Sequence, residues 1–243
     1  MKKDPYKVVS LIYDHIMRTI TYQDWARYVT DLQSFYIDKA KTYLEIAAGN
    51  GKLAFHLSKI FPNAVLLDLS QSMLSQIDKN EKCVCANMTS LPFKSKFDFI
   101  YSTFDSINYL GNEIDLQKYF NEISSILNDD GVFTFDASLE NNSIKNVKRL
   151  NRKGKYRRLL YKQISKYDYE KKIHKNRFII KLENGEIIEE VHTQKIFNFE
   201  LYFELAANSG LHVVDCFDSF TFEDASAESE RIQLIMKKDY AEL

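Results

Sequence analysis

Gly49 and Gly51 stand in a short turn, AAGNG (47–51), between an apolar run and a helical one. Glycine in such a turn lets backbone amides approach a ligand and tolerates positive φ. Ligands of open α/β sheets sit beyond the carboxyl ends of the strands, and this turn lies there if 42–47 is a first strand. A phosphate-binding P-loop is excluded, because Leu53 follows Gly51-Lys52 and Ile46 occupies its first glycine position. The dinucleotide fingerprint G-x-G-x-x-G/A is met by Gly49, Gly51 and Ala54, with Asp68 at the acidic position downstream. A second constellation, Glu190, His192 and Gln194, alternates onto one strand face. Three polar groups there point to a cleft, in which an imidazole titrating near neutrality could move a proton. Cys83 and Cys85 alternate likewise, but no second pair completes a zinc site, so no metal is expected.

The elements that must position these residues follow from periodicity. Asp4-Pro5 predicts a helix start with Asp as cap, and Thr21 caps a second helix carrying Tyr22, Trp25 and Tyr28. Five strands follow: TYLEIA (42–47), AVLLDLS (64–70), KCVCA (82–86), FDFIYST (97–103) and GVFTFDAS (131–138). Helical stripes intervene, such as Leu53, Leu57 and Ile60, and later Leu116, Phe120, Ile123 and Leu127. This alternation predicts an α/β fold with a parallel sheet and helices on both faces. The rhythm breaks after 138. Segments 157–163, 165–172, 174–182 and 186–196 read as successive strands, and Asn184-Gly185 marks a hairpin. A helix ending at Gly210 and the strands LHVVDCF (211–217) and RIQLIMKK (231–238) return to the main sheet. The expected division is a core of 1–139 and 196–243 with an N-terminal helical cap, and an inserted antiparallel β subdomain at 140–195.

A chain of 243 residues, 45% hydrophobic and 28% charged, suffices for one α/β domain with an insertion. No apolar run reaches the ~18–20 residues of a membrane span. Asp14, His15 and Arg18 interrupt any secretory signal. Cys83, Cys85 and Cys216 read as buried, reduced thiols, which predicts a cytoplasmic protein. Net charge is −1, yet from Lys145 to Lys181 fifteen Lys/Arg stand against two acids, Asp168 and Glu170, a net of +13. Such a block suits RNA or the phosphates of an anionic metabolite, or else the solvent face of an exposed sheet whose lysines discourage edge pairing.

Glu45, Ala47, Gly49 and Gly51 together resemble the first motif of the class I S-adenosylmethionine-dependent methyltransferases, an acidic residue followed by G-x-G-x-G. The resemblance continues through LLDLSQSML (66–74), CANMTSLPF (85–93) and FDFIYSTFDSINYL (97–110). The D-S-x-N-Y-L after the fourth strand is similar to a bacterial subgroup of small methyltransferases. That subgroup also shares Tyr13, Asp14, Tyr22, Trp25 and Tyr28 near the start, Glu190-Val191-His192 after the inserted hairpins, and Arg231 opening the last strand. The resemblance implies a Rossmann-like, seven-stranded doubly wound sheet in the order 3-2-1-4-5-7-6, with the inserted antiparallel sheet as a lid. It implies S-adenosylmethionine as cofactor. Glu45 would help to hold the amino group of that ligand, whereas it would repel a pyrophosphate. Asp68 would accept the ribose hydroxyls, Met73 would pack near the adenine, Asn87 would hold the adenine amine and the Met88 N–H a ring nitrogen. Tyr22, Ala47, Asn50, Leu69 and Thr103 complete the expected cofactor contacts. Ala47 replaces a first glycine, and its methyl is tolerable there if φ stays negative.

Methyl transfer from a sulfonium is an in-line displacement, so alignment and exclusion of water are the main tasks. A base is required only where the attacking atom is protonated. His192 is the expected base, Asp105 and Tyr109 orient the acceptor, and Tyr13, Asn108, Glu190 and Arg231 contact it. The helices at 5–37 and the inserted sheet would form the lid. The expected reaction is methylation of N or O on a small-molecule acceptor, anionic if the basic block contributes. RNA or nucleotide methylation through 145–181 and non-catalytic S-adenosylmethionine binding are the competing readings, and monomer and homodimer both stay open.

Overall fold

Short runs rich in β-branched and aromatic residues become the strands of a central sheet, and the amphipathic stripes between them become helices on both its faces. The computed structural model describes residues 4–239, so the charged opening at Lys2 and Lys3 lies outside the described residues. The elements run α1 (Tyr13–Ile16), α2 (Tyr22–Tyr36), β1 (Tyr43–Ile46), α3 (Lys52–Leu57), β2 (Val65–Asp68), α4 (Gln71–Leu74), β3 (Lys82–Cys85), β4 (Phe97–Ser102), α5 (Glu113–Ile126) and β5 (Leu127–Ser138). Then come α6 (Glu140–Asn146), β6 (Arg152–Tyr156), β7 (Leu159–Asp168), β8 (Ile173–Lys181), β9 (Ile187–Lys195), α7 (Phe199–Ala207), β10 (Leu211–Asp218) and β11 (Arg231–Lys238).

The seven-stranded sheet has the order β3-β2-β1-β4-β5-β11-β10. Strands β1 to β5 pair in parallel, while β11 is antiparallel to both β5 and β10. This is the Rossmann-like arrangement expected, with β10 and β11 as its sixth and seventh strands. The turn after β1 opens where the strand order reverses, between β2 and β4. On one face Trp25, Val29 and Leu32 of α2 and Leu53 and Leu57 of α3 pack on Leu66, Phe99 and Tyr101. On the other, Leu116, Phe120 and Ile123 of α5 and Tyr202 of α7 pack on Leu44, Ile100, Phe133 and Phe135. Burying each such side chain contributes roughly 1.5–3 kcal/mol, which fixes the strand ends that carry the site.

The remaining strands form a separate antiparallel sheet, β6-β7-β8-β9. Its boundaries correct the expectation. Segments 157–163 and 165–172 are not two strands; β7 runs unbroken from Leu159 to Asp168, and β6 precedes it. The inner face of this sheet carries Gln163, Ser165, His174, Asn176 and Gln194 among its apolar residues, so hydrophobic alternation misplaces the break. The outer face carries Lys153, Lys155, Lys162, Lys166, Lys175 and Lys181, all exposed. Much of the basic block is therefore solvent-facing.

Two other expectations change. Residues 5–20 do not form a long helix: a single 3-10 turn (Val9–Leu11) and the short α1 stand there, after Tyr6 at φ 62°. Asp4 caps no helix of its own; its carboxylate accepts from the N–H and hydroxyl of Ser72, tying the chain start to α4. The 3-10 turn and α1 instead bury Val8, Val9, Ile12 and Ile16 against Tyr161, Phe178 and Ile180 of the four-stranded sheet. Cys83 and Cys85, expected to be buried, are exposed because β3 is a sheet edge.

Candidate active site

A cavity of about 630 Å³ lies between the carboxyl ends of β1, β2 and β4, the N-terminal segment, α6 and the inner face of the four-stranded sheet. The turn after β1 shapes its floor. Ala47, Gly49 and Gly51 all take positive φ, at 60°, 58° and 73°. The condition of negative φ at Ala47 is thus not met: all three positions of the glycine frame are left-handed, and alanine sits in one of them at a cost of ~1–2 kcal/mol. Gly49 donates its N–H to Asp68 Oδ2 at 2.8 Å, and Ser70 donates to Asp68 Oδ1 at 2.8 Å. Those bonds leave each carboxylate oxygen a lone pair for a ligand hydroxyl. A Cβ at Gly49 would stand 3.4 Å from Met73 Cε. Gly51, by contrast, lies off the cavity; it caps α3 and a Cβ there would meet Ile77 at 3.0 Å.

Glu45 lines the same end and is 2% exposed. Burial pushes its carboxyl up to about 8, against the hydrogen bond from Tyr101 and reinforced by Asp68. Glu45 Oε2 accepts from the Tyr101 hydroxyl at 3.1 Å. The Tyr22 hydroxyl, of the same cavity, is buried without a hydrogen-bond partner among the described residues. A carboxyl destabilised as an anion and an orphaned phenol fit a ligand that brings a cationic group and a polar atom. Asn50 and Lys52 both reach Asp14 Oδ1, at 2.8 and 2.9 Å, and so join the turn to the N-terminal segment. Leu69, Asn87 and Met88 complete this end. Asn87 Oδ1 accepts from Thr89 N at 3.1 Å, which fixes its carboxamide in the turn after β3.

The opposite wall is aromatic. Tyr6, Tyr13, Tyr109 and His192 converge, with ring centroids of Tyr6 5.9 Å from Tyr13, 6.0 Å from Tyr109 and 4.1 Å from His192. The Tyr6 and Tyr109 hydroxyls hydrogen-bond to each other. Burial drives the pKa values of Tyr6, Tyr13 and Tyr109 upward, and Asp68 adds to all three. They therefore remain neutral phenols. His192 Nε2 meets Glu190 Oε1 at 2.8 Å. Burial raises the Glu190 pKa, but the bonds from His192, Val8 and Val9 outweigh it and hold the group below its ordinary range. The Glu190 carboxylate there accepts from His192 Nε2–H.

Asp105 enters from the loop after β4. Phe104 and Asp105 are consecutive left-handed residues, at φ 61° and 49°. Asp136 Oδ2 takes the Asp105 N–H at 2.8 Å, and Ser138 Oγ donates to Asp105 Oδ2 at 2.6 Å. Arg231 pairs with Asp136 and lies 3.4 Å from Asp105 Oδ2. These bonds hold a strained loop whose cost would otherwise be on the order of 1–3 kcal/mol per residue.

Three predicted residues stand behind the wall and do not line the cavity. Asn108 donates to Ser138 O and Lys195 O and accepts from Ser138 N, so its carboxamide joins β5 to β9. Glu190 acts through His192 and the N-terminal amides. Thr103 is buried, and its carbonyl accepts from Ser106 Oγ. The sequence reading missed Tyr6, Phe104, Phe178 and Phe220, and the polar residues Asn142, Asn146, Arg149, Arg152, Gln163 and Asn176, all of which line the cavity. The four-residue spacing of Asn142 and Asn146 was the available signal for a polar helix face. Among the described residues no group of three His, Cys, Asp or Glu is placed to hold a metal, and no helix is long and apolar enough to cross a membrane.

Residues 44–131 match the family model described as a methyltransferase domain. A protein of Geobacillus sp. (strain WCH70), provisionally named a methyltransferase, is 27% identical over 96% of this chain and 99% of its own length. The crystal structure of an S-adenosylmethionine-dependent methyltransferase from Clostridium acetobutylicum ATCC 824 superposes with a TM-score of 0.78 at 24% identity, covering 97% of this chain and 99% of that one. The sugar N-methyltransferase KedS8 from Streptoalloteichus sp ATCC 53650 gives 0.75 at 17% identity, over 95% and 93% of the two chains. The matched methyltransferase domain spans β1 to the start of β5, and so contains Glu45, Gly49, Asp68, Asn87 and Asp105.

Proposed function

We propose that the protein is an S-adenosylmethionine-dependent methyltransferase that methylates N or O of a small polar acceptor. The observation that carries the reading is the buried Glu45 carboxyl beside the left-handed Gly49 turn and Asp68, inside the segment that matches a methyltransferase domain. Bound S-adenosylmethionine supplies an electrophilic methyl group on sulfur. Glu45 would take its amino group, Asp68 its hydroxyls, and the Tyr22 hydroxyl a remaining polar atom. Tyr6, Tyr13, Phe104 and Phe220 exclude water from the place where the two ligands meet. Asp105, held by Ser138 and Arg231, orients the acceptor. Where that acceptor is an ammonium or an alcohol, His192 Nδ1 takes the proton, because the neighbouring tyrosines are held neutral and Nε2 is committed to Glu190.

Isothermal titration with S-adenosylmethionine tests the cofactor assignment. Wild type should bind in the micromolar range, and Gly49→Val should lose binding because valine cannot adopt the required φ beside Met73. Equal affinity in the two proteins would contradict it. A methyl-acceptor screen with labelled S-adenosylmethionine then identifies the methylated atom.

A further inference from the structure

Beyond His192 the cavity continues along two ladders of polar side chains. On the inner face of the four-stranded sheet, His192 of β9 pairs with Asn176 of β8. Asn176 Oδ1 accepts from Gln163 Nε2 of β7 at 3.0 Å, and Gln163 Oε1 accepts from Arg152 Nε of β6 at 2.8 Å. The second ladder follows α6. Asn142 donates to Ser138 Oγ at 2.7 Å and Asn146 to Asn142 Oδ1 at 2.7 Å, with Arg149 in the turn that follows. Both ladders line the cavity, and they end at Arg152 and Arg149.

The charges at the two ends differ. Glu45 and Asp68 stand at the methyl-donor end. Among the described residues neither Arg149 nor Arg152 forms an ion pair, and the charges nearest Arg152 include Arg18 and Arg149, both of its own sign. By contrast, Arg158 pairs with Glu183 and Arg177 with Glu189 on the same small sheet, while Arg157 lies over the Tyr156 ring. Arg152 gives Nε to Gln163 and Nη2 to the Ile16 carbonyl at 3.3 Å, which leaves Nη1 and the exposed Arg149 guanidinium to meet an anion; two cations of this kind at one cavity end disfavour the free protein and favour a bound anion.

We infer that Arg149 and Arg152 form an anion subsite, and that the acceptor is an elongated polar molecule bearing a phosphate or carboxylate on the order of 15 Å from the methylated atom, three strand spacings and one two-residue step away. Hydroxyl or amide groups between its two ends pair with Asn142, Asn146, Gln163 and Asn176. The distance rests on the proposed methyl transfer beside His192; the anion subsite itself does not.

The test is titration of the full chain, by calorimetry at fixed ionic strength, with inorganic phosphate, pyrophosphate and succinate. Arg149→Gln, Arg152→Lys and the Arg149→Gln/Arg152→Gln double variant are compared with Lys162→Gln/Lys166→Gln on the outer face. Saturable binding of at least one anion should weaken tenfold or more in the double variant and stay within twofold in the outer-face variant. Phosphate over succinate assigns a phosphorylated acceptor, and the reverse a carboxylated one. Arg149→Gln changes an exposed residue and guards against misfolding of the double variant; it should cost threefold or more by itself. S-adenosylmethionine affinity, measured in parallel, should be unchanged in every variant. No saturable anion binding in wild type, or equal binding in wild type and double variant, overturns the subsite. Loss of S-adenosylmethionine binding in wild type would instead overturn the methyltransferase reading and leave the anion result standing.

Discussion

Glu190 holds His192 with one carboxylate oxygen and the start of the chain with the other. Oε1 meets His192 Nε2 at 2.8 Å, while Oε2 takes the N–H of Val8 at 2.8 Å and of Val9 at 3.3 Å. One side chain thus sets the imidazole and closes the segment that carries Tyr6 and Tyr13 over the cavity. Glu190→Ala should destabilise the protein by about 2–4 kcal/mol in urea unfolding at pH 7, since buried amides lose their acceptor. The folded-state pKa of Glu190 is lowered, so its stabilisation is complete above the ordinary glutamate range and is lost as pH falls through the folded value. The gap between wild type and variant should therefore narrow at pH 4. A gap of the same size at pH 4 and pH 7 would refute this account.

Glu45 titrates in the opposite sense. Its folded pKa, about 8, lies above its unfolded one, so the folded protein holds a proton that the unfolded chain releases. Stability in the absence of ligand should fall as pH rises from ~4.5 to ~8, and Glu45→Gln should remove that slope, gaining on the order of 3 kcal/mol near pH 8. A cationic ligand group draws the proton off. Titration of S-adenosylmethionine in two buffers of different ionisation enthalpy at pH 7 should show release of up to one proton in wild type and none in Glu45→Gln.

Ala47 gives a prediction about backbone. At φ 60° it bears strain that glycine would not, offset in part by the extra freedom glycine has when unfolded. Ala47→Gly should raise stability by about 0.5–1 kcal/mol, a gain of roughly 1–4 °C in melting temperature. Ala47→Val should lose more than that. A glycine variant that melts below wild type would contradict the left-handed geometry.

Arg231 stands between two carboxylates, those of Asp105 and Asp136. Burial raises the pKa of Asp136 and Arg231 pulls it back down. Arg231→Met leaves both acids uncompensated and should destabilise by about 3–5 kcal/mol. Adding Asp136→Asn should recover part of the loss, a coupling that a double-mutant cycle measures directly. Strict additivity would separate the two residues.

The alternation of strands and helices was readable because short apolar runs are split by helical stripes, and the cofactor end because glycines and acids mark the loops after them; the strand order came only from the resemblance to the class I methyltransferases. The acceptor end was not. Its walls are Asn142, Asn146, Gln163 and Asn176, whose side chains point inward without being apolar, so the periodicity that reports burial is silent there. Tyr6 left no trace either, since its placement depends on Glu190, far along the chain. Ala47 misled in a different way: residue type gave a steric preference, and the tertiary turn overrode it.

The bonds from Val8 and Val9 to Glu190 span 182 and 181 residues of sequence. During synthesis Val8 and Val9 must therefore wait for the chain to reach Glu190 before they have a place to dock. Val8, Val9, Ile12 and Ile16, buried in the finished protein, stay solvent-exposed until then. A nascent chain stalled before the fourth strand of the small sheet could already hold a Rossmann core through β5, yet would present a sticky, protease-accessible leader beside an open ligand cleft. Late closure makes the segment from Val8 to Ile16 one of the last of the described residues to find its place.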